Sequence, residues 1–332
     1  MNEIKVSVVL PVFNGEKYLA EAIESVLNQT HKNFELIIFD DGSTDDGLAI
    51  ARSYQKSDSR IIVYTRENKG LVATLNEAIS LVQSNFIVRM DADDICYPNR
   101  IELQLKEMLN NNLDLVGGAI DLLENDAITG TLHYLEDSDD IKASILTWGR
   151  NFCHPAIIAK KSLFEKYPYE DFPGIEDFAL WIKLVFDTEI KMGNIAAPVL
   201  CYRLHEEQVT QIGKDKQWHL DNQLKIMQKI VCGSVQGISE ENVQAFESLI
   251  RPKKRFIGRE NRLLALEYID KLFRSETVSR TAIQLLLAKV YLRLKRKNRP
   301  KNKRWILAQL MIRLKFLGGE HHLNTDQIRQ KN

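Results

Sequence analysis

Cysteine is scarce: Cys96, Cys153, Cys201 and Cys232 stand far apart in the 332 residues and form no Cys-x-x-Cys pair. That excludes a disulfide framework and a paired-cysteine zinc site, and it fits a reducing cytosol. No uncharged run approaches the ~20 residues that cross a bilayer, and Met1-Asn2-Glu3-Ile4-Lys5 shows no charged-then-apolar leader, so a secreted or membrane-spanning chain is not expected. Net charge is also missing, with 45 basic and 45 acidic residues. Two phosphate-cradling loops are absent as well. After the first apolar run the chain reads Pro11-Val12-Phe13-Asn14-Gly15-Glu16 in place of Gly-x-Gly-x-x-Gly, which disfavours a dinucleotide site, and no Gly-x-x-x-x-Gly-Lys-Ser/Thr occurs anywhere.

What is present is unevenly distributed. Residues 251–316 carry 20 Lys/Arg against 4 Asp/Glu, which leaves 25 against 41 in the remainder: an acidic body and a basic tail. The length exceeds the ~100–200 residues of one domain, so a catalytic domain with a smaller appendage is expected. Apolar runs at Val6 to Leu10, Phe34 to Phe39, Ile61 to Tyr64, Phe86 to Met90 and Leu113 to Ile120 read as buried strands. Between them, Leu19, Ala22, Ile23, Val26 and Leu27 repeat at helical spacing, as do Leu71 to Val82 and the set Ile101, Leu105, Met108 and Leu109 after Pro98. Alternating strands and helices of this length predict a doubly wound, mostly parallel α/β sheet.

Ligands of such sheets bind beyond the carboxyl ends of the strands. Three acidic or turn-forming stretches fall at such ends: Pro11 to Asn14, Asp40-Asp41, and Asp91-Ala92-Asp93-Asp94. Three carboxylates in four residues repel one another, and a hard divalent cation shared with a substrate diphosphate relieves the repulsion. The plainer reading of an isolated Asp-Ala-Asp-Asp is a solvated acidic loop, but such a loop does not require the other two stretches to share its rim. On this reading Asp93 holds the metal and Asp40 accepts from a base or ribose.

Together, Val8-Val9-Leu10-Pro11-Val12-Phe13-Asn14, Ser25-Val26-Leu27-Asn28-Gln29-Thr30, Asp40-Asp41-Gly42-Ser43-Thr44-Asp45, Asn68-Lys69-Gly70 and Asp91-Ala92-Asp93-Asp94 resemble the family 2 glycosyltransferases of the GT-A fold, over roughly residues 4–205. The resemblance implies a Rossmann-like catalytic domain at 1–211 and a helical, basic region at 212–332. It implies an inverting transferase with a nucleotide-sugar donor, UDP by analogy, and a divalent Mg or Mn. Pro11, Val12, Asn14, Asp40, Lys69, Asp91, Ala92 and Asp93 would then bind the nucleotide sugar, with Asp40 at the base, Asp91 at the ribose or metal, and Lys69 near a phosphate. Asp91, Asp93 and His205 are the metal candidates.

Gly174-Ile175-Glu176-Asp177-Phe178-Ala179-Leu180-Trp181 resembles the family's Glu-Asp motif opening a helix, with Trp181, Leu184 and Val185 turned inward. An inverting transfer needs one carboxylate to take the acceptor hydroxyl's proton, and Asp177 is chosen for it, with Glu176 and His154 on the acceptor side. Otherwise Glu176 and Asp177 are first-turn acids favoured by the helix dipole, and His154 is a core histidine. Arg100 looks family-like, but a helix-surface or ion-pair role is as well supported. Helices are expected at 218–231, 240–250, 262–273 and 281–294. The basic run Arg293 to Arg304, followed by Trp305 to Phe316, suits either an anionic membrane surface at the cytoplasmic face or a packed helical appendage with a solvated basic face, and it lacks the aromatic context of nucleic-acid recognition. The acceptor expected is a glycan or lipid-linked glycan of bacterial surface polysaccharide. A sugar-phosphate nucleotidyltransferase, which would want a glycine-rich phosphate loop, and a non-catalytic scaffold are the rival readings.

Overall fold

The computed structural model describes residues 4–206, 208, 216–250, 259–296 and 310. They form two compact units, one of residues 1–136, 152–180 and 191–216 and one of 137–151, 181–190 and 217–332. Residues 137–151 and 181–190 thus group with the second unit. Most of the basic run at 293–316 lies outside the described residues.

The first unit is built on a nine-stranded sheet in the order β3-β2-β1-β4-β8-β6-β9-β5, with β7 (Ala127–Leu132) paired to β6. Strands β1 (Val6–Val12), β2 (Phe34–Asp40), β3 (Ile61–Thr65) and β4 (Phe86–Arg89) run parallel. Every residue of β1 and β2 is buried, which is why both read as continuous apolar runs without alternation. Pro11 is tolerated inside β1 because the ladder to β4 ends at the Val9–Arg89 pair, so its missing N–H falls where no partner strand runs. Helices α1 (Leu19–Leu27), α2 (Gly47–Ser57) and α3 (Leu71–Leu81) make the crossovers, and Leu19, Ala22, Ile23 and Val26 bury the stripe foreseen for α1.

Beyond β4 the sheet becomes mixed. Strand β8 (Ile158–Lys160) lies antiparallel between β4 and β6 (Leu115–Glu124), while β9 (Met192–Arg203) runs parallel to β6 and antiparallel to the two-residue β5 (Ile95–Cys96). Helix α4 (Arg100–Asn110) departs from expectation: Leu109 is 43% exposed, and Arg100 is fully buried. Arg100 is not a surface residue, and among the described residues it has no ion-pair partner. Its Nη2 donates to the carbonyls of Arg89 (2.7 Å) and Ile157 (3.2 Å), and its Nε donates to Gln104 (3.1 Å). The guanidinium thereby satisfies backbone groups at the junction of β4 and β8, a task no apolar residue can perform.

Gly42 follows β2 at φ +75°, and a Cβ there would sit 2.8 Å from the Asn68 nitrogen and 3.0 Å from the Arg66 carbonyl oxygen. Gly42→Ala is therefore expected to destabilise the protein by roughly 1–3 kcal/mol. Chemical denaturation checks this, and an unchanged midpoint would contradict the close approach of the two loops.

In the second unit, helix α5 (Ser138–Leu146) packs on the helix Arg280–Arg296, and Glu240–Ile250 packs on Arg259–Arg274. Asp137 caps α5 by accepting from Asp139 N (2.9 Å) and Asp140 N (3.2 Å). Among the described residues no helix is long and apolar enough to cross a membrane.

Candidate active site

Because β1 lies between β2 and β4, the carboxyl ends of all three share one rim, and the loops after β1 and β2 are stapled together. Asn14, at φ +52°, accepts on Oδ1 from Thr44 N (2.9 Å) and Thr44 Oγ1 (3.2 Å), while its own N–H donates to Ser43 Oγ (3.0 Å). Val12 O accepts from Asp41 N at 2.8 Å. Asp40 is buried, taking Thr65 Oγ1 on one oxygen (2.7 Å) and Ser43 N on the other (3.3 Å). A carboxylate has about four lone-pair sites, so both oxygens retain acceptor capacity. Asp41, which sequence reasoning gave no role, organises the neighbouring loop: it accepts from Lys69 N and Gly70 N (2.9 Å each) and pairs with Arg66. The Lys69 ammonium reaches Glu77 at 3.4 Å on the surface.

At the end of β4, Asp91, Asp93 and Asp94 can each offer an oxygen within 4.8 Å of the others. Asp94 is the member sequence reasoning left out of the site. It is buried; its Oδ1 accepts from Arg203 N (3.0 Å), and its Oδ2 has no hydrogen-bond partner. Burial, and then the charges of Asp91 and Asp93, push its carboxyl well above the usual carboxylate range. Asp91 is shifted the same way by burial and by Asp93, although the ion pair with Arg89 opposes this. Three crowded carboxylates and an orphaned buried oxygen are the donor set that a hard cation satisfies.

The far end of β9 straps this cluster in place. Arg203 donates from Nε to the Asp93 carbonyl (2.9 Å), stacks over Tyr18 at 4.4 Å, and pairs with Glu21 and Asp126. His205 Nε2 lies 2.9 Å from Asp93 Oδ2, so the histidine acts on one of the three carboxylates and is not itself within their cluster.

The candidates expected on the acceptor side, Glu176 and His154, lie close to one another. The Glu176 side chain is buried at the start of α7 (Glu176–Val185), its Oε1 3.8 Å from His154 Nδ1 and its Oε2 without a hydrogen-bond partner. Burial, followed by repulsion from Asp177, raises its pKa to about 7. His154 sits in a short 3-10 turn with Nε2 2.7 Å from Tyr169 Oη, and burial, then Arg89, holds its pKa well below the ordinary value, so it is neutral. Asp177 is half-buried and accepts from Phe178 N at 2.6 Å. Trp181, Leu184 and Val185 are buried as expected.

A raised carboxyl reverses the usual linkage. The unfolded chain releases the Glu176 proton near 4.5 and the folded chain near 7, so the folded state binds more protons between those values and stability falls as pH rises through that window. About 2.5 pH units correspond to roughly 3 kcal/mol of lost stability above pH 7. Glu176→Gln is therefore expected to raise the melting temperature at pH 8 and leave it nearly unchanged at pH 4.5. An equal change at both pH values would contradict the shift.

The mixed, mostly parallel α/β sheet with flanking helices and a carboxylate cluster at the end of β4 has the GT-A architecture. The chain belongs to the family 2 glycosyltransferases: the model of Glycosyl transferase family 2 matches residues 7–167. It is 35% identical over 208 residues to the Escherichia coli O-antigen biosynthesis glycosyltransferase WbnJ, covering 61% of this chain and 80% of that one. It is 28% identical over 216 residues to the Escherichia coli UDP-Glc:alpha-D-GlcNAc-diphosphoundecaprenol beta-1,3-glucosyltransferase WfgD, covering 63% and 81%. Two longer relatives are spanned over only 34% and 18% of their length. Among solved structures, S. aureus TarS 1–349 in complex with UDP-GlcNAc aligns with a TM-score of 0.60 and 15% identity over 96% of this chain and 92% of that one, a likeness of fold.

Proposed function

We propose that this glycosyltransferase is inverting and metal-dependent, and that it moves a sugar from a UDP-sugar to a hydroxyl of a lipid-linked glycan in surface-polysaccharide synthesis. The observation that carries the reading is the carboxylate cluster at the end of β4, with the unpartnered Asp94 Oδ2 at its buried side and Asp40 on the same rim. Asp91 and Asp93, joined by Asp94, would hold Mg or Mn, and His205 would orient Asp93. When bound there, the cation neutralises charge gathering on the departing diphosphate. Pro11, Val12, Asn14 and Asp40 line the nucleoside side, Ala92 and Lys69 the sugar-diphosphate side. Asp177 takes the proton from the acceptor hydroxyl as that oxygen attacks the anomeric carbon. Glu176 and His154 stand beside it, and the neutral His154 presents no charge to the acceptor. UDP and the lipid-linked acceptor are supported by the donor and acceptor in the WfgD name and by the UDP-GlcNAc in the TarS complex.

Incubating the protein with a panel of nucleotide sugars and a lipid-linked glycan, with Mn or with chelator, tests the whole reading. Metal-dependent release of nucleoside diphosphate from one donor is expected; release of pyrophosphate would mark a nucleotidyltransferase. We place the chain at the cytoplasmic membrane face through its basic run. Vesicles containing anionic lipid are expected to retain the full chain and to release one whose Lys and Arg residues at 293–304 are replaced by Gln, whereas equal retention would remove the membrane from the proposal.

A further inference from the structure

Tyr169 lies between the helix Lys161–Lys166 and α7, and its neighbours fix it there from several sides. The side-chain amide of Asn76, on α3, grips its backbone at both polar groups: Nδ2 donates to the Tyr169 carbonyl (2.9 Å) and Oδ1 accepts from the Tyr169 N–H (3.1 Å). Phe164 stacks on its ring with centroids 5.6 Å apart. The buried tyrosine ends in a hydroxyl 2.7 Å from Nε2 of the buried His154. The other nitrogen of that imidazole, Nδ1, faces Glu176 Oε1 at 3.8 Å. An amide 93 residues away in sequence thus holds a loop so that one hydroxyl meets one ring nitrogen.

The direction of the 2.7 Å bond follows from what each partner needs. Among the described residues, His154 is the one hydrogen-bond partner of the Tyr169 hydroxyl. If the imidazole donated, the phenolic proton would be buried without an acceptor. The bond is also shorter than the ~2.9–3.0 Å usual for an N–H donor to oxygen, and suits an O–H donor. Burial lifts the phenol above its ordinary pKa, so it stays protonated, and burial likewise keeps the imidazole neutral. A neutral imidazole that accepts at Nε2 carries its proton on Nδ1.

We infer that Tyr169 is a positioning residue of the acceptor side: pinned by Asn76, its hydroxyl fixes His154 as the Nδ1–H tautomer, which turns an N–H toward Oε1 of Glu176. At 3.8 Å this last contact is an electrostatic attraction, longer than a hydrogen bond. It makes the two carboxyl oxygens unequal, since Oε1 faces a donor while Oε2 is buried without a hydrogen-bond partner. The opposite tautomer would set a lone pair against Oε1 and repel the carboxylate. The consequence for rate rests on the acceptor-side reading of Glu176 and Asp177 above; the tautomer does not.

The test uses the full chain, isotope-labelled at the histidine ring nitrogens, whose NMR shifts report which nitrogen carries the proton; the His154 pair is the one lost in His154→Asn. The wild type is expected to hold the proton on Nδ1. Tyr169→Phe keeps the ring against Phe164 and removes only the hydroxyl. It is expected to move both nitrogens toward the average of the two tautomers and to shift the side-chain carboxyl carbon that is lost in Glu176→Gln. A wild-type proton on Nε2, or His154 nitrogens unmoved in Tyr169→Phe, overturns the inference. If Tyr169→Phe does not fold, Asn76→Ala decides: its loosened loop is expected to move the same nitrogens, and unmoved signals are fatal. In turnover, Tyr169→Phe is expected to lower kcat about tenfold with donor KM unchanged. A merely structural tyrosine would instead lower the melting temperature and leave tautomer and kcat alone, and wild-type kcat with a changed tautomer removes the positioning role. The expected tautomer in a wild type that turns over no donor would keep Tyr169 as the group that sets His154 and remove the transferase reading instead.

Discussion

Asp93→Ala is expected to lower metal-dependent nucleoside diphosphate release by about 10²- to 10³-fold, the loss seen when one group stabilising transition-state charge is removed. Asp93 is partly exposed, so deleting its carboxylate opens no core cavity. What it contributes to the frame is its backbone carbonyl, which accepts from Arg203 Nε and survives the substitution. The chain should therefore melt at nearly the wild-type temperature while its Mn requirement rises sharply. His205→Ala supplies the contrast. Its ring is set against Asp93 Oδ2, so its removal loosens one ligand without deleting it, and a loss of about 10- to 100-fold in metal affinity is expected. A Mn titration of both variants, followed by turnover and melting, orders the two effects. Equal losses would make His205 a ligand in its own right, and wild-type Mn dependence in Asp93→Ala would move the metal away from the end of β4.

Much of this fold is legible in the sequence for a definite physical reason. Strands β1, β2 and β4 are buried on both faces, so each is written as a near-continuous apolar run, and the polar residues that follow the runs lie at the carboxyl-end rim of the sheet. The short strands were not legible. Three residues of β8 and two of β5 are too few to show any period, although β8 joins β4 to β6 and β5 ties Asp94 to the end of β9. Arg89 was hidden inside an apolar run, and Arg203 lies 109 residues from the Asp94 it holds. Asp94 looked like a third acid in a row; only its burial and its orphaned oxygen distinguish it. Leu109 and Arg100 show the opposite failure. Helical spacing assigns Leu109 to the core, and Arg100 reads as family-like or as a helix-surface or ion-pair residue, but hydrogen bonding to the carbonyls of Arg89 and Ile157 draws the arginine inward.

Asp177→Asn is expected to reduce kcat by about 10²- to 10⁴-fold with donor KM nearly unchanged, because it removes a proton acceptor while preserving shape. The bond from Phe178 N can still be accepted by the amide oxygen, so α7 keeps its first turn. The substitution also reports on its neighbour. Asp177 is the second contributor to the raised pKa of Glu176, after burial, so the neutral amide should bring the Glu176 midpoint down from about 7 toward the ordinary carboxylate range. These two consequences separate a proton acceptor from a merely acidic surface. A base that has been removed leaves a slow enzyme whose residual rate no longer follows a carboxylate ionisation at Asp177, whereas an electrostatic bystander leaves a fast enzyme with a shifted Glu176 titration. Measuring kcat against pH for Asp177→Asn beside Glu176→Gln therefore assigns the acceptor's proton. If Glu176→Gln is the slow variant and Asp177→Asn the fast one, the base is Glu176, and its pKa near 7 is then the pKa of the reaction's base.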